Sequence, residues 1–159
     1  MFNKISCIFS NDGRIKISNL ASRQPNFSVI RLRKDINDIK SKDLLNKNTD
    51  IDVIIGGPPC QPWSETGKNL GSEDERDGFP AFIHCVETVR PKLFIAENVK
   101  GLSFDKNRDY LSHIIAQFED LGYTVEYRII RMSDYGVPQN RERLFIVGHN
   151  GEFTYPSPH

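Results

Sequence analysis

Four side chains in this sequence have types and settings that suit chemistry: Cys60, Glu97, Arg141 and Arg143. A thiolate is a soft nucleophile that adds reversibly to an electron-poor ring carbon. A carboxylic acid kept protonated by burial can donate to a ring nitrogen and ease that addition. An arginine can hold a ring oxygen and stabilise the charge that develops during attack. Together these groups suit a pyrimidine ring. Taken singly, each has an ordinary explanation. Cys60 could be a structural cysteine beside a tight turn, although its polar and proline neighbours suit an exposed loop better than a core. Glu97-Asn98 could cap the element that follows. Arg141, Glu142 and Arg143 could make surface ion pairs, and Gln139 could be ordinary turn polarity.

The elements that would position these groups can be read from the pattern around them. Cys60 belongs to the stretch Asp52–Ser64, D-V-I-I-G-G-P-P-C-Q-P-W-S. Val53-Ile54-Ile55 reads as a strand buried on both faces. Gly56-Gly57 allows a sharp exit, and Pro58-Pro59 stiffens the backbone just before the sulfur. A long polar, glycine-containing stretch follows up to Gly78, more typical of a lid or binding loop than of a connector. Phe79, Phe82, Ile83, Val86 and Val89 then keep helical spacing until Pro91. Leu93–Ala96 is a second buried-type strand, ending in Glu97-Asn98. Leu111, Ile114, Ile115, Phe118 and Leu121 mark another amphipathic helix, with Gly122 placed to cap it. Val125, Tyr127 and Ile129 alternate as a strand, and Leu144–Val147 is one more. The order from residue 50 onward predicts an α/β fold: an incomplete doubly wound, Rossmann-like sheet, mostly parallel and finished by an antiparallel pair. Three loops, Gly56–Ser64, Glu97–Leu102 and Tyr135–Arg143, read as following the carboxyl ends of successive strands and are then expected to converge at one sheet edge.

Before residue 50 the signals differ. Residues 4–18 alternate around Asn11-Asp12-Gly13, a hairpin pattern. Residues 19–27 read as loop, and Ser28–Leu32 reads as a short strand leading to Asp35-Ile36. This divides the chain into a segment 1–27 and a catalytic-type segment 28–159.

The totals bound the function. The chain has 159 residues, room for one domain with a real core, and equal numbers of basic and acidic residues, 21 of each. No global positive field marks a nucleic-acid partner. The basic stretch from Arg14 to Lys42 could face phosphates, with a solvated face as the simpler reading. The three cysteines, Cys7, Cys60 and Cys85, lack C-x-x-C spacing. That argues against a disulfide framework or a zinc site and for a reducing cytoplasm. No apolar run has membrane-spanning length and no signal-peptide core appears, so a soluble, cytoplasmic protein is expected.

The motifs also resemble those of the C5-cytosine-specific DNA methyltransferases. The family's cysteine motif appears as Gly56-Gly57-Pro58-Pro59-Cys60-Gln61-Pro62-Trp63-Ser64 and its E-N-V motif as Glu97-Asn98-Val99. Its Q-x-R-x-R motif appears as Gln139-Asn140-Arg141-Glu142-Arg143, and Asp74-Glu75-Arg76 matches the step before the following helix. The likeness runs over roughly residues 28–158 and is weak before residue 50.

The resemblance implies double-stranded DNA as partner and S-adenosylmethionine as methyl donor. It implies that Cys60 attacks C6 of a cytosine swung out of the duplex. Glu97 would contact N3 and the exocyclic amine, Arg143 would contact O2, and Arg141 would steady the loop or Glu97. Pro58, Gln61, Ser64, Asn98 and Gln139 would line the substrate side. Asp35, Ile36 and Pro59 would face the methyl donor, as would Phe79, which stands where the family has a leucine.

Two features depart from the family. Its F-x-G-x-G loop is matched only by Phe9 and Gly13, which predicts weak binding of S-adenosylmethionine by this chain alone. After Tyr155-Pro156-Ser157-Pro158 no target-recognition segment follows. Three readings stay open: one half of a split enzyme completed by a second subunit, a truncated or degenerate enzyme, or a non-catalytic module that binds nucleic acid or a partner. A sheet edge left open by a missing first unit would favour self-association or such a partner.

Overall fold

The computed structural model describes Ile5–Ser6, residues 51–59 and residues 77–158. Strand β1 (Ile5–Ser6) and strand β2 (Val53–Gly56) precede helix α1 (Phe79–Val89). Strand β3 (Leu93–Val99), helix α2 (Arg108–Asp120), strand β4 (Thr124–Arg131) and strand β5 (Glu142–His149) follow. The five strands form one sheet in the order β1-β2-β3-β5-β4. β2 runs parallel to both β1 and β3, and β5 runs antiparallel to both β3 and β4. The expected parallel α/β sheet with a terminal antiparallel pair is what forms.

Local chemistry explains the elements. Val53 and Ile54 are buried, as a continuous apolar strand requires. At the start of α1 a carboxylate oxygen of Asp77 accepts the Phe79 N–H at 3.0 Å, relieving one of the unpaired donors of a helix N-terminus. Arg90 ends this helix in a left-handed conformation, φ 52°, and its N–H donates to the Val86 carbonyl at 2.8 Å. The core lies between these helices and the sheet. Phe94 and Ala96 of β3, with Leu144 and Ile146 of β5, pack beneath Phe82, Ile114 and Phe118. The Phe94 ring lies 4.2 Å from that of Phe118 and meets Phe82 edge-on at 6.0 Å, both centroid to centroid. Gly148, directly opposite Phe94 in the ladder, makes room for that ring; a Cβ there would come within 2.0 Å of it.

Several expectations change. β3 extends beyond Ala96 to Val99, and β5 begins at Glu142 instead of Leu144. The two strands pair without interruption from Leu93↔His149 to Val99↔Arg143, and this ladder draws polar residues that read as loop into extended backbone. Arg143 therefore does not follow the carboxyl end of a strand. It lies near the start of an antiparallel one, beside the carboxyl end of β3.

Within the segment that reads as a hairpin, Ile5 and Ser6 pair in parallel with Val53 and Ile54. β1 thus occupies, over those two residues, the edge of β2 that was expected to be open. The predicted return strand at 14–18, the strand at 28–32, the basic stretch Arg14–Lys42 and the loop 60–76 lie outside the described residues. No helix among the described residues is long and apolar enough to cross a membrane.

Candidate active site

The carboxyl end of β3 carries two neighbouring polar side chains on opposite faces of the sheet. Glu97 is on the face away from α1 and α2, with Val99 on its own strand and Arg143 and Phe145 on β5. The Arg143 Nε donates to the Glu97 Oε1 at 2.8 Å, and both side chains are largely shielded, 18% and 30% exposed. The contact is diagonal: Glu97 stands opposite Phe145, and Arg143 opposite Val99. Burial pushes the Glu97 carboxyl above its ordinary pKa, while the Arg141 guanidinium opposes the shift. Arg143, in direct contact, favours the charged form as well.

Asn98 points to the other face and is buried. Its Nδ2 donates to the Pro58 carbonyl at 3.0 Å, and its Oδ1 accepts the Val99 N–H at 2.8 Å. The next carbonyl, that of Pro59, accepts the Gly78 N–H at 2.9 Å. Two hydrogen bonds thus hold the prolines that lead into Cys60, one from β3 and one from the start of α1. The approach at Gly78 is tight enough to require glycine, since a Cβ there would lie 2.3 Å from the Pro59 Cδ.

Arg141 is exposed; its carbonyl accepts the Met132 N–H at 2.8 Å, and its own N–H donates to the Gln139 carbonyl at 2.9 Å. Gln139 is exposed in the same turn. Glu97, Asn98, Arg143, Pro58 and Pro59 are therefore joined at one end of the sheet. Phe79 is fully buried, with its ring edge-on to Tyr110 at 6.4 Å between centroids. Cys60, Gln61, Ser64, Asp35 and Ile36 lie outside the described residues. No group of three or more His, Cys, Asp or Glu side chains among the described residues could hold a metal ion.

Three residues of this end had no side-chain role assigned from the sequence. Buried Asp77 caps α1 and accepts the Tyr110 hydroxyl. Gly78 and Lys100 are the others: Lys100 reaches across to Glu142, with Nζ and Oε2 2.8 Å apart. The Asp-Gly step before an apolar helix was a readable capping signal. The Lys100–Glu142 contact becomes visible only once β3 and β5 are known to pair.

An open parallel sheet extended by an antiparallel strand, with its polar cluster at the strand ends, defines a Rossmann-like α/β protein of the methyltransferase type. The chain belongs to the C-5 cytosine-specific DNA methylase family, whose model matches residues 3–159 and so takes in the N-terminal segment as well. It is 41% identical over 141 residues to the Type II methyltransferase M.FnuDI of Fusobacterium nucleatum, covering 84% of this chain and 40% of that protein. It is 49% identical over 105 residues to the Type II methyltransferase M.AplI of Arthrospira platensis, covering 66% of this chain and 30% of that protein. Among solved structures, the Entamoeba histolytica methyltransferase EhMeth superposes with a TM-score of 0.64 at 18% identity, covering 98% of this chain and 55% of the other, a likeness of fold. Against these two curated relatives, the chain spans 30–40% of their length.

Proposed function

We propose that this chain is the catalytic portion of a DNA (cytosine-5-)-methyltransferase that acts on a cytosine flipped out of double-stranded DNA. The observation that carries the reading is the Glu97–Arg143 pair at 2.8 Å, next to the Asn98 hydrogen bond that holds the backbone leading to Cys60. A carboxyl and a guanidinium on one face match the N3 and O2 edge of cytosine. Burial favours the protonated carboxyl that donation to N3 requires.

In this reading the Cys60 thiolate adds to C6, breaking the C5–C6 double bond. Glu97 holds a proton at N3, and Arg143 stabilises the charge gathering at O2. C5 then takes a methyl group, loses its proton to a base, and the Cys60–C6 bond breaks to restore the ring. Extraction of the base is needed because a stacked cytosine offers no face to a thiol.

S-adenosylmethionine would supply the methyl group. Of the residues assigned to it, Pro59 keeps part of its surface open, whereas buried Phe79 has none to offer, so its place in the site is packing. Asp35 and Ile36 remain the candidates for contact with the donor. The chain covers 30–40% of these relatives' length, and we assign the reading of DNA sequence to polypeptide beyond it, including a second subunit.

The test is covalent trapping on a 5-fluorocytosine duplex in the presence of S-adenosylmethionine, with and without a relative's recognition segment supplied separately. The expected result is a stable adduct that is lost in Cys60→Ser. DNA affinity unchanged by Cys60→Ala, with no adduct under either condition, would instead make the chain a binding module.

A further inference from the structure

Four cations crowd the end of the β3–β5 ladder: Lys100 just after β3, Arg131 at the end of β4, Arg141 just before β5 and Arg143 within it. Among the described residues Arg143 is the cation in ion-pair contact with Glu97, and Arg141 acts on the same carboxyl without such a contact. Glu142 accounts for the sorting. It lies between Arg141 and Arg143 in sequence, and strand alternation turns it to the face opposite Arg143. Its Oε2 lies 2.8 Å from the Lys100 Nζ, and its Oε1 lies 3.5 Å from Arg131, its cross-strand partner. Lys100 follows Val99, which is opposite Arg143, so the backbone sends it toward the Glu142 face as well. Its stem is long and flexible, and it stands three residues beyond Glu97.

The geometry points to Glu142 as a positioning residue: by holding Lys100 and Arg131 on one face of the sheet, it leaves Arg143 as the cation that meets Glu97 on the other. This deepens the methyltransferase reading and, as far as catalysis is concerned, rests on it. The lowered pKa of Glu142, caused chiefly by its hydrogen bond and attraction to Lys100, agrees with a carboxylate that stays charged in this role. Removing its charge releases Lys100 to swing around the strand end toward Glu97. Removing the Lys100 charge leaves the Glu142 carboxylate with Arg131 as its remaining cation and so with more of its negative charge felt near the same pair. The two changes therefore push the Glu97 carboxyl in opposite directions, and because Glu142→Gln acts by freeing Lys100, its effect shrinks once Lys100 is also replaced, a departure from additivity that through-space charge alone would not produce.

The test is a carbon-13 NMR titration of the Glu97 carboxyl in the intact chain, with the resonance assigned by its loss in Glu97→Gln. Glu142→Gln is expected to lower the Glu97 midpoint by about half a pH unit or more. Lys100→Gln is expected to raise it, and the double variant to return it toward the parent value. An unchanged midpoint in both single variants, or shifts of the same sign, overturns the proposal. If Glu142→Gln fails to fold, Lys100→Gln decides alone: a rise supports the role and no change rejects it. The titration needs no methyl transfer. Opposed shifts in a chain that gives no 5-fluorocytosine adduct would leave the sorting intact and remove the catalytic reading. An adduct without shifts would do the reverse.

Discussion

The two ends of the sheet use polar side chains differently. At the end where β3 finishes and β5 begins, Asn98 serves the backbone but the charged side chains pair with each other across strands: Glu97 with Arg143, and Lys100 with Glu142. At the opposite end, several polar side chains serve the backbone. The Tyr123 hydroxyl donates to the Pro91 carbonyl at 2.7 Å, and the Arg90 guanidinium donates to the Leu121 carbonyl at 2.7 Å, joining the exits of α1 and α2. One charged pair there, Lys92 with Asp52 at 2.7 Å, has its lysine largely in solvent. Backbone groups buried without partners are costly, so the far end secures the fold. Shielding an ion pair costs desolvation that offsets much of its attraction, so the near end has charges that the fold does not need. This is where a functional role for Glu97 and Arg143 gains its physical support.

The comparison is tested first where the expected loss is largest. Tyr123→Ala at the far end removes a buried ring that packs edge-on to Phe94 at 5.2 Å between centroids and leaves the Pro91 carbonyl without its donor. The expected cost is about 3–5 kcal/mol, read as a lower urea midpoint. Gly78→Ala comes next, because it belongs to the near end yet should behave as a fold position. Its Cβ must displace the Pro59 ring, for about 1–3 kcal/mol, and trapping on a 5-fluorocytosine duplex should weaken as the residues before Cys60 shift. Arg143→Gln should do the opposite: less than about 1 kcal/mol of stability lost, against a fall of about a hundredfold or more in adduct formation. A large loss of stability with Arg143→Gln would erase the distinction between the ends.

The sequence disclosed the far end and the core better than the cluster. Apolar spacing marked Phe79–Val89 and Leu111–Leu121 because burial imposes a period on helices, and the residues that set it are those of the core. Motif residues could be named individually from their chemistry. Their arrangement could not, because it depends on strand pairing. Glu97 and Asn98 read as loop since polar residues carry no strand period; their ladder partners, Phe145 and Leu144, lie 48 and 46 positions away. The direction of β5 is set by the short return after β4, not by its own residues, so Arg143 was assigned to the wrong kind of strand end. Glu142 read as surface charge because nothing local connects it to Lys100. β1 was hidden for another reason: an Asp-Gly step suggested a local partner, and parallel pairing with β2, across some 46 intervening residues, leaves no local mark.

The smallest effect is one of sign. Glu97 and Glu142 belong to the same end of the sheet, but their surroundings shift them in opposite directions. Burial raises the folded-state pKa of Glu97, so the folded chain holds that proton more tightly than the unfolded chain. The stability linked to it must fall as pH rises from the ordinary carboxyl value through the raised one. The Lys100 contact lowers the folded-state pKa of Glu142. Its contribution is present above the ordinary value and is lost as pH falls through the lowered one. Urea unfolding of the parent and of Glu97→Gln across that range should show the parent losing ground to the variant as pH increases. Arg143→Gln, which removes a cation from the carboxyl, should extend the decline to higher pH. The Glu142→Gln comparison should run the other way, with the parent losing ground to the variant as the medium becomes more acidic. If both glutamates gave the same slope, the near end would behave as ordinary surface charge, and the contrast between the two ends of the sheet would not hold.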